Sequence, residues 1–418
     1  MPHSYRRPEH RSTAVGSLLL VVVAALASAL PAFAAPPASP SAPPSPASAT
    51  TQGAFQVFAP MISRPRAPLG MIIQPAELLV TKAQYDQRVE PGRSAVKSLL
   101  NDAAEALAAT PCAQATYATS TGYDCLNQAS EYAYLLALAY RLTGDTAYSA
   151  KGAAFIRAWS ATLSGITPGD DQAQLDWSRL VPAMIWGADL LDGTPSWSEA
   201  DRQQLIAMLQ NHALPQAKAA AQRANNWADA GNLLWLSIAV YAGMPSERAA
   251  AVANWKLKLD GVAQAGAAAA SDACADTSWI YGMCSDGSLT EENRRGADGL
   301  GYNQGALSVK TVFAEIMRRQ GDASLYTYKT PRGVGLKNGW DFLAPRVLDA
   351  FAGRCTWLYT PDHCVGATNR SGWELAYAHW HAPAYLPVVL EHRPYSWSNW
   401  ADPGYSTVLF GSLNLGGS

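Results

Sequence analysis

A helix–glycine–cap–helix hairpin recurs along this chain and restricts its fold more than any other feature. Between residues 132 and 142, apolar side chains are spaced i, i+3, i+4, i+7, as on one face of a helix. Gly144 then ends the helix, and Asp145 is a typical N-cap for the next. The same order returns at residues 243–247 and 321–322. This repetition predicts a stack or ring of helical pairs, and we expect an all-α toroid, or incomplete barrel, of α/α hairpins.

Strand-like sequence is confined to two short segments. Residues 405–410, near the C-terminus, and residues 56–58 are rich in β-branched, aromatic or other apolar side chains. We therefore expect a minor β contribution at the C-terminus of an otherwise helical fold.

The N-terminus predicts export. Arg6, Arg7 and Arg11 precede the uncharged apolar run 15–32, and a small-x-small motif ends at Ala34. This order is typical of a secretory signal cleaved after Ala34. The apolar run also approaches the ~20 residues of a membrane span, but the cleavage motif favours a signal peptide over residues 1–34. We expect the protein to be secreted, or periplasmic where the host has an outer membrane.

The next segment is a spacer. Residues 35–53 are rich in Pro, Ala and Ser and carry no charge and no aromatic ring, so they cannot bury enough surface to fold. Residues 54–418 remain for the folded domain. Its balanced charge, −2 for the whole chain, gives no reason to expect a nucleic acid or a membrane as partner after signal cleavage. We expect a monomer.

The cysteines fall into three close pairs, which in an oxidising compartment predicts three local disulfides. Six cysteines allow 15 connectivities, so this pairing is a hypothesis. A zinc site is the alternative, but the chain has no CxxC and no histidine at ligand spacing from two cysteines. We expect neither a metal nor another cofactor. The predicted pairs are Cys112 with Cys125, Cys274 with Cys284, and Cys355 with Cys364.

One candidate segment opens an apolar helix. The segment 223–232 leads directly into the apolar stretch 233–241 and contains Asn225, Asn226, Trp227 and Asp229. Polar amides at the start of a buried helix need hydrogen-bond partners or a ligand. The alternative is that Asn225 and Asn226 only cap the helix.

A second candidate segment is rich in glycine. Gly296, Gly299 and Gly301 disfavour a regular helix between Arg295 and Tyr302, so we expect the helix to begin only near Tyr302. A guanidinium binds carboxylates through two hydrogen bonds, and a nearby cation favours the phenolate form of a tyrosine. The alternative is a solvated surface loop.

Together the two segments resemble the alginate lyase family of polysaccharide lyases, which has the helical-toroid fold. That family carries an Asn-Asn-His element opening a helix, then a DGSLP-x-E stretch followed by Arg-Gly, with a Tyr seven residues after the Arg. Here DGSLTEE stands at 286–292, Arg295 follows, and Tyr302 has that spacing. The likeness extends over residues 125–410 and is specific in these two motifs.

The resemblance implies roles for individual residues. Asn226 matches the amide that neutralises a substrate carboxylate, Arg295 matches the carboxylate-binding cation, and Tyr302 matches the catalytic tyrosine. Asn225 and Arg294 would then line the substrate site. Trp227 occupies the position of the family's histidine, and an indole N–H cannot act as a base.

The implied reaction is β-elimination on an acidic polysaccharide. The C5 proton of a uronate becomes acidic once the adjacent carboxylate is neutralised. If Tyr302 both removes this proton and protonates O4, the two must lie on the same side of the ring, as in mannuronate and glucuronate but not in guluronate. His379 or His381 is a second candidate for a base.

Two alternatives remain at this level. A glycoside hydrolase on a similar toroid would use paired carboxylates. A non-catalytic sugar-binding relative is the other, because Trp227 replaces the histidine. The carboxylates available to a hydrolase are Asp286, Glu291, Glu292 and Glu374.

Overall fold

The computed structural model describes residues 67–263, 279–357 and 371–416. The predicted signal peptide (1–34), the spacer (35–53) and the strand at 56–58 lie outside these residues. The described part is a succession of helices joined by short turns. The helices are α1 (Pro75–Asp86), α2 (Gly92–Ala108), α3 (Thr119–Thr143), α4 (Thr146–Thr162), α5 (Asp171–Leu191), α6 (Glu199–Met208), α7 (Leu214–Ala221), α8 (Asn226–Tyr241), α9 (Pro245–Asp260), α10 (Thr290–Asn293), α11 (Gly299–Arg319), α12 (Ser324–Thr327), α13 (Leu336–Phe351), α14 (Gly372–Trp380), α15 (Tyr385–His392) and α16 (Ser406–Phe410).

The helices form two layers. Helices α3, α5, α8, α11 and α14 are successive packing neighbours and make the inner layer. Helices α4, α7, α9, α13 and α15 pack against them from outside. A helix that is apolar on every side must be surrounded by protein, and α8 is buried along nearly its whole length, from Ala228 to Tyr241.

The chain closes on itself. Helix α16 packs against α14 and also against α1 and α2, and α1 packs against α3. The Thr81 hydroxyl donates a hydrogen bond to the Val408 carbonyl at 3.0 Å, and the Ser412 hydroxyl donates to Gln84 Oε1 at 2.6 Å. These contacts join the two ends of the described chain, so the α/α toroid predicted from the hairpins is confirmed.

The predicted hairpin turns are also confirmed. Gly144 is the C-cap of α3 and adopts a left-handed conformation with φ 75°, which favours glycine. Asp145 caps α4, because its carboxylate accepts the Ala147 N–H at 2.9 Å. Likewise α8 ends at Tyr241, Gly243 has a positive φ of 68°, and α9 begins at Pro245.

The predicted C-terminal strand is wrong. Residues Ser406–Phe410 form α16, which is fully buried against the first two helices. The local β preference of Thr407 and Val408 is outweighed by this packing, as happens readily because β propensity depends on context. Strands among the described residues are short: Thr116–Tyr117 pairs in parallel with Gly165–Ile166, and Val262–Ala263 pairs antiparallel with Trp279–Tyr281.

One predicted disulfide is described in full, between Cys112 and Cys125. Cys284 and Cys355 are also disulfide-bonded, while Cys274 and Cys364 lie outside the described residues. Among the helices of the described ranges, none combines the length and the apolar character that a membrane span requires.

Candidate active site

The first turn of α8 presents two asparagines with different tasks. The Asn225 side chain accepts the Trp227 N–H at 3.1 Å and caps the helix, so the capping interpretation holds for Asn225. Asn226 is 7% exposed, and its backbone N–H donates to Glu292 Oε1 at 2.7 Å. Its side-chain oxygen is buried without a hydrogen-bond partner among the described residues. Asn226 is therefore held through its backbone, which leaves its amide side chain uncommitted.

The glycine-rich segment is more helical than expected. A short 3₁₀ turn covers Gly296–Asp298, and α11 begins at Gly299, three residues before the predicted start. Position 299 requires glycine, because a Cβ there would lie 2.9 Å from the Trp357 indole. The Asn303 side chain fixes this turn to α10 by donating to the Asn293 side chain at 3.0 Å.

Arg295 and Tyr302 lie together. The guanidinium carbon of Arg295 is 5.0 Å from the centre of the Tyr302 ring, a cation–π distance. Residues seven apart lie on the same side of a helical segment, so the spacing read in the sequence becomes a contact. Arg295 and Tyr302 are both partly exposed. A ligand can therefore approach both groups at once.

Glu292 links these residues to α8. Its Oε1 accepts the Asn226 N–H, and its Oε2 lies 3.7 Å from Arg295 Nε. The side chain is 2% exposed. Burial and the negative charge of Asp229 raise the pKa of Glu292 to about 8, although Arg295 and the Asn226 N–H oppose this shift. One buried carboxyl group thus links Asn226 to Arg295, and Arg295 in turn contacts Tyr302.

A buried charged cluster lies behind this group. Asp229 and Lys310 form an ion pair in which both side chains are almost inaccessible, 5% and 4% exposed. Lys258 donates to the Arg223 carbonyl at 2.7 Å and lies 4.0 Å from the centre of the Tyr281 ring. Burial, followed by the nearby Lys310, lowers the pKa of Lys258 to about 8. These groups line a cavity of about 20 Å³, which is room for one water molecule.

Aromatic and polar side chains stand on the other side of Tyr302. The Trp400 indole meets the Tyr302 ring edge-on at a centroid distance of 6.0 Å. The Arg179 guanidinium lies 5.8 Å from the Trp400 ring and 4.9 Å from the Tyr123 ring. Asn399 donates to the Tyr123 hydroxyl at 3.0 Å. The loop that carries Trp400 also lines an open cavity of about 390 Å³, which is large enough for sugar rings.

Two other predicted residues flank this centre. Trp227 packs under the Arg223 guanidinium, 5.0 Å from its ring centre. Arg294 forms an ion pair with Glu291 at 2.8 Å, and both of these side chains are partly exposed. Along the chain, Trp227 directly follows Asn226, and Arg294 directly precedes Arg295.

The structure does not bring His379 and His381 to Tyr302. His379 stacks on Tyr326, with ring centroids 3.7 Å apart, beyond the C-terminal end of α11. Burial, aided by Arg318, lowers the pKa of His379 to about 4. Tyr302 lies in the first turn of α11, roughly 20 Å away along its axis. His381 is exposed at the end of α14.

The carboxylates considered for a hydrolase have partners. Glu374 is fully buried and pairs with Arg393 at 2.8 Å. Asp286 accepts the Ser288 N–H at 2.8 Å within its own turn. Glu291 pairs with Arg294, as described above, and Glu292 is buried beneath Arg295. These contacts favour binding and structural roles over an acid–base pair that flanks a glycosidic bond.

Several residues of the site could not be connected with one another from the sequence. Tyr123, Arg179 and Trp400 come from α3, α5 and the loop before α16, and no local pattern connects them. Lys310 looks like an ordinary helix residue. Asp229 could have been noticed, because a carboxylate at the start of an otherwise apolar helix needs a buried partner.

The chain was also compared with known proteins. The family model described as "Alginate lyase" matches residues 114–352, which is more than half of the chain. This range contains Asn226, Glu292, Arg295 and Tyr302, whereas Trp400 lies beyond it. No curated protein sequence matches the chain significantly.

Solved structures of similar fold include alginate lyases. An alginate lyase from Bacteroides ovatus superposes with a TM-score of 0.57 at 16% identity, covering 80% of this chain and 97% of its own. Alginate lyase A1-III from Sphingomonas species A1 gives a TM-score of 0.53 at 16% identity, covering 69% and 76%. A tyrosine-to-phenylalanine variant of A1-III complexed with a tetrasaccharide gives 0.54 at 15% identity, covering 70% and 76%.

Proposed function

The chain belongs to the alginate lyase family, and from this premise we propose that it cleaves mannuronate-rich alginate or glucuronan by β-elimination. Membership makes it a polysaccharide lyase. Its particular substrate, the roles of its residues and its export are the proposal.

The convergence of three side chains carries this proposal. Asn226 comes from α8, whereas Arg295 and Tyr302 come from the segment that opens α11, and the buried Glu292 connects the two elements. An amide, a guanidinium and a phenol brought together at one site are what elimination beside a carboxylate requires. The tetrasaccharide bound to the related A1-III variants supports an acidic oligosaccharide as the ligand.

The steps follow from these groups. Asn226 and Arg295 bind the C5 carboxylate and stabilise the negative charge that develops on it as the C5 proton leaves. Tyr302, whose ring centre lies 5.0 Å from the Arg295 guanidinium, is the base and takes that proton on its phenolic oxygen. The C4–O4 bond then breaks as a double bond forms between C4 and C5, and the Tyr302 hydroxyl returns its proton to O4. One product has an unsaturated uronate at its new non-reducing end. The other keeps the O4 oxygen as a free hydroxyl at its new reducing end.

The cleft beside Tyr302 suits neighbouring sugar units. Trp400 and Tyr123 offer flat apolar faces for sugar rings. Arg179, held between these rings and 3.2 Å from Asp176, adds a positive charge for a second carboxylate. Asn225 and Arg294 flank the same centre and would contact the polymer at its edge.

Substrate stereochemistry follows from the bases available. Trp227 cannot accept a proton, and His379 lies at the far end of α11, so Tyr302 is the candidate for both proton transfers. A single group can serve both steps only when the C5 proton and O4 are on the same side. This requirement favours mannuronate and glucuronate over guluronate.

The place of action follows from the sequence and from the cysteines. The segment at residues 1–34 reads as a secretory signal, and the Cys112–Cys125 disulfide is typical of an oxidising compartment. We infer that the enzyme works outside the cytoplasm as a single lyase domain, residues 54–418, where it meets a polymer too large to enter a cell.

The test is a substrate panel. The mature protein is incubated with polymannuronate, glucuronan and polyguluronate, and the ultraviolet absorbance of the unsaturated uronate is followed. We expect absorbance to rise with the first two polymers and to vanish in Tyr302→Phe, while Tyr148→Phe, on the outer helix α4, behaves as the wild type. Reducing ends without absorbance would indicate hydrolysis, and binding without any product would indicate a sugar-binding protein. Full activity of Tyr302→Phe would refute the mechanism.

A further inference from the structure

We propose that Glu292 is a positioning residue of this reaction: it is neutral when substrate binds, and its ionisation withdraws Arg295 from the substrate carboxylate. The inference rests on the proposed function, in which Arg295 binds that carboxylate. It assigns a new role to a residue that touches neither substrate nor reacting atoms.

The Arg295 guanidinium lies between the Glu292 carboxyl group and the Tyr302 ring. Arg295 Nε lies 3.7 Å from Glu292 Oε2 on its buried side, while the guanidinium reaches the Tyr302 ring on its open side. Neither Glu292 Oε2 nor Arg295 Nε has a hydrogen-bond partner among the described residues. The separation of 3.7 Å is longer than a hydrogen bond. Arg295 is therefore near Glu292 without being committed to it.

The other oxygen of Glu292 has a structural task that does not depend on charge. Oε1 accepts the Asn226 N–H at 2.7 Å, and a carboxyl oxygen can accept an N–H whether the group is ionised or neutral. This bond holds the first turn of α8, and hence Asn226, against α10. The two carboxyl oxygens of Glu292 therefore have different roles. Oε1 fixes Asn226 through its N–H, and the charge on Oε2 determines how strongly Glu292 attracts the Arg295 guanidinium.

Charge balance explains why the neutral form matches substrate binding. A bound uronate brings one negative charge to Arg295. A second negative charge at Glu292, buried and a few ångströms away, would compete for the same cation and repel the substrate carboxylate. With Glu292 protonated, the full charge of Arg295 is available to the substrate and to Tyr302.

The surroundings favour the neutral form at neutral pH. Burial and Asp229 raise the pKa of Glu292 to about 8, so it carries its proton at pH 7 and loses it above pH 8. Asp229 is itself paired with Lys310, which limits the help that Lys310 can give to an ionised Glu292. The titratable and charged groups that face Glu292 from the elements around it are Asp229, Lys258, Tyr281, Glu291, Arg295 and Lys310.

The test follows the pH dependence of KM between pH 6 and 9.5. In the wild type we expect KM for the polyuronate to rise above pH 8, by about tenfold at pH 9, since one pKa unit corresponds to tenfold in population. Glu292→Gln keeps an oxygen that can accept the Asn226 N–H but cannot ionise, so its KM should stay level over this range. Glu374→Gln is the matched control, because it also neutralises a buried glutamate beside an arginine, and it should retain the wild-type profile.

A binding measurement covers the case in which Glu292→Gln does not fold. In the non-cleaving Tyr302→Phe variant, binding of a saturated mannuronate tetramer should take up about half a proton at pH 8, where half of the free protein has lost the Glu292 proton, and almost none at pH 6. Calorimetry in buffers of different ionisation enthalpy measures this uptake.

The outcomes separate the two proposals. An identical rise of KM in wild type and Glu292→Gln, or no proton uptake at pH 8, overturns the role of Glu292 while the lyase stands. If the wild type releases no unsaturated product from any polyuronate, the proposed function fails instead.

Discussion

The indole of Trp400 meets the phenol ring of Tyr302 edge-on, with ring centroids 6.0 Å apart and planes inclined by 78°. Nearly a hundred residues of sequence separate them. The contact arises because the loop after α15 crosses the start of α11 on its way to α16, which closes the ring of helices. Closure of the fold and construction of the cleft are therefore the same event.

Removing this ring should weaken catalysis. An edge-to-face pair contributes about 0.5–1.5 kcal/mol beyond its buried area, so we expect Trp400→Ala to lower kcat/KM by about tenfold. Trp400→Phe should recover most of this loss, because it keeps an aromatic edge. Initial rates on polymannuronate measure the effect, and Trp380→Phe, at the opposite end of α11, is the control. Equal rates for Trp400→Ala and the wild type would show that Trp400 does not contribute to substrate binding or catalysis.

Replacing Arg295 by lysine tests whether geometry or charge matters. Arg295→Lys keeps a positive charge but loses the planar fork that binds a carboxylate through two hydrogen bonds. A hydrogen bond to a charged group is worth about 1.5–3 kcal/mol, so we expect kcat/KM to fall by about 10- to 100-fold, and further in Arg295→Ala. Arg354→Lys, a change at an exposed ion pair with Asp349, is the control. A fully active Arg295→Lys would mean that Arg295 acts only as a point charge.

Restoring a histidine beside Asn226 should widen the substrate range. Trp227 lies one residue after Asn226 and packs under Arg223. In Trp227→His a second base becomes available on that side, so we expect unsaturated products from polyguluronate that the wild type does not release. Product analysis on polyguluronate and polymannuronate in parallel makes the comparison. If Trp227→His gains nothing on polyguluronate, the position does not decide stereochemistry.

The ion pair behind the site should be costly to break. Asp229 and Lys310 are both almost inaccessible, and removing one partner leaves a buried charge unpaired. We expect Lys310→Met to lower the free energy of unfolding by about 3–5 kcal/mol. The double variant Asp229→Asn/Lys310→Met should be more stable than Lys310→Met alone, because no unpaired charge remains. Denaturant unfolding measures all three, and a double variant that is less stable than Lys310→Met would contradict this account.

Stability should also depend on pH through Glu292. Its pKa is raised from 4.5 to about 8 in the folded state, so between these values the folded protein holds a proton that the unfolded chain has released. Stability therefore falls as pH rises from 4.5 to 8, with a slope of about 1.4 kcal/mol per pH unit from this group. Because Glu131 also has a raised pKa of about 7, the measurement is the difference between wild type and Glu292→Gln. We expect the variant to lose less stability over this window. Parallel curves would show that Glu292 has an ordinary pKa.

The helical hairpins and their caps could be read from the sequence because these signals are local. Gly144 ends α3 because it adopts a left-handed backbone, and Asp145 caps α4 by accepting the N–H of Ala147, two residues further on. Arg295 contacts Tyr302 because the two are seven residues apart in one helical segment. The failures have the same origin. The segment at 405–410 has local strand character but becomes a helix, because its neighbours come from α1, α2 and α14.

By itself, the sequence determined the helical class, the turns and the motif that carries Asn226, Arg295 and Tyr302, and it predicted the Cys112–Cys125 pair that the structure then confirmed. Only the tertiary structure decided that Glu292 lies buried between Asn226 and Arg295, that Trp400 packs against Tyr302 with Arg179 beside Trp400, and that His379 lies a helix length away. The physical reason is range. Capping, spacing and backbone preference act within a few residues, whereas burial, charge pairing and the shape of a cleft depend on which distant segments the closed ring of helices brings together.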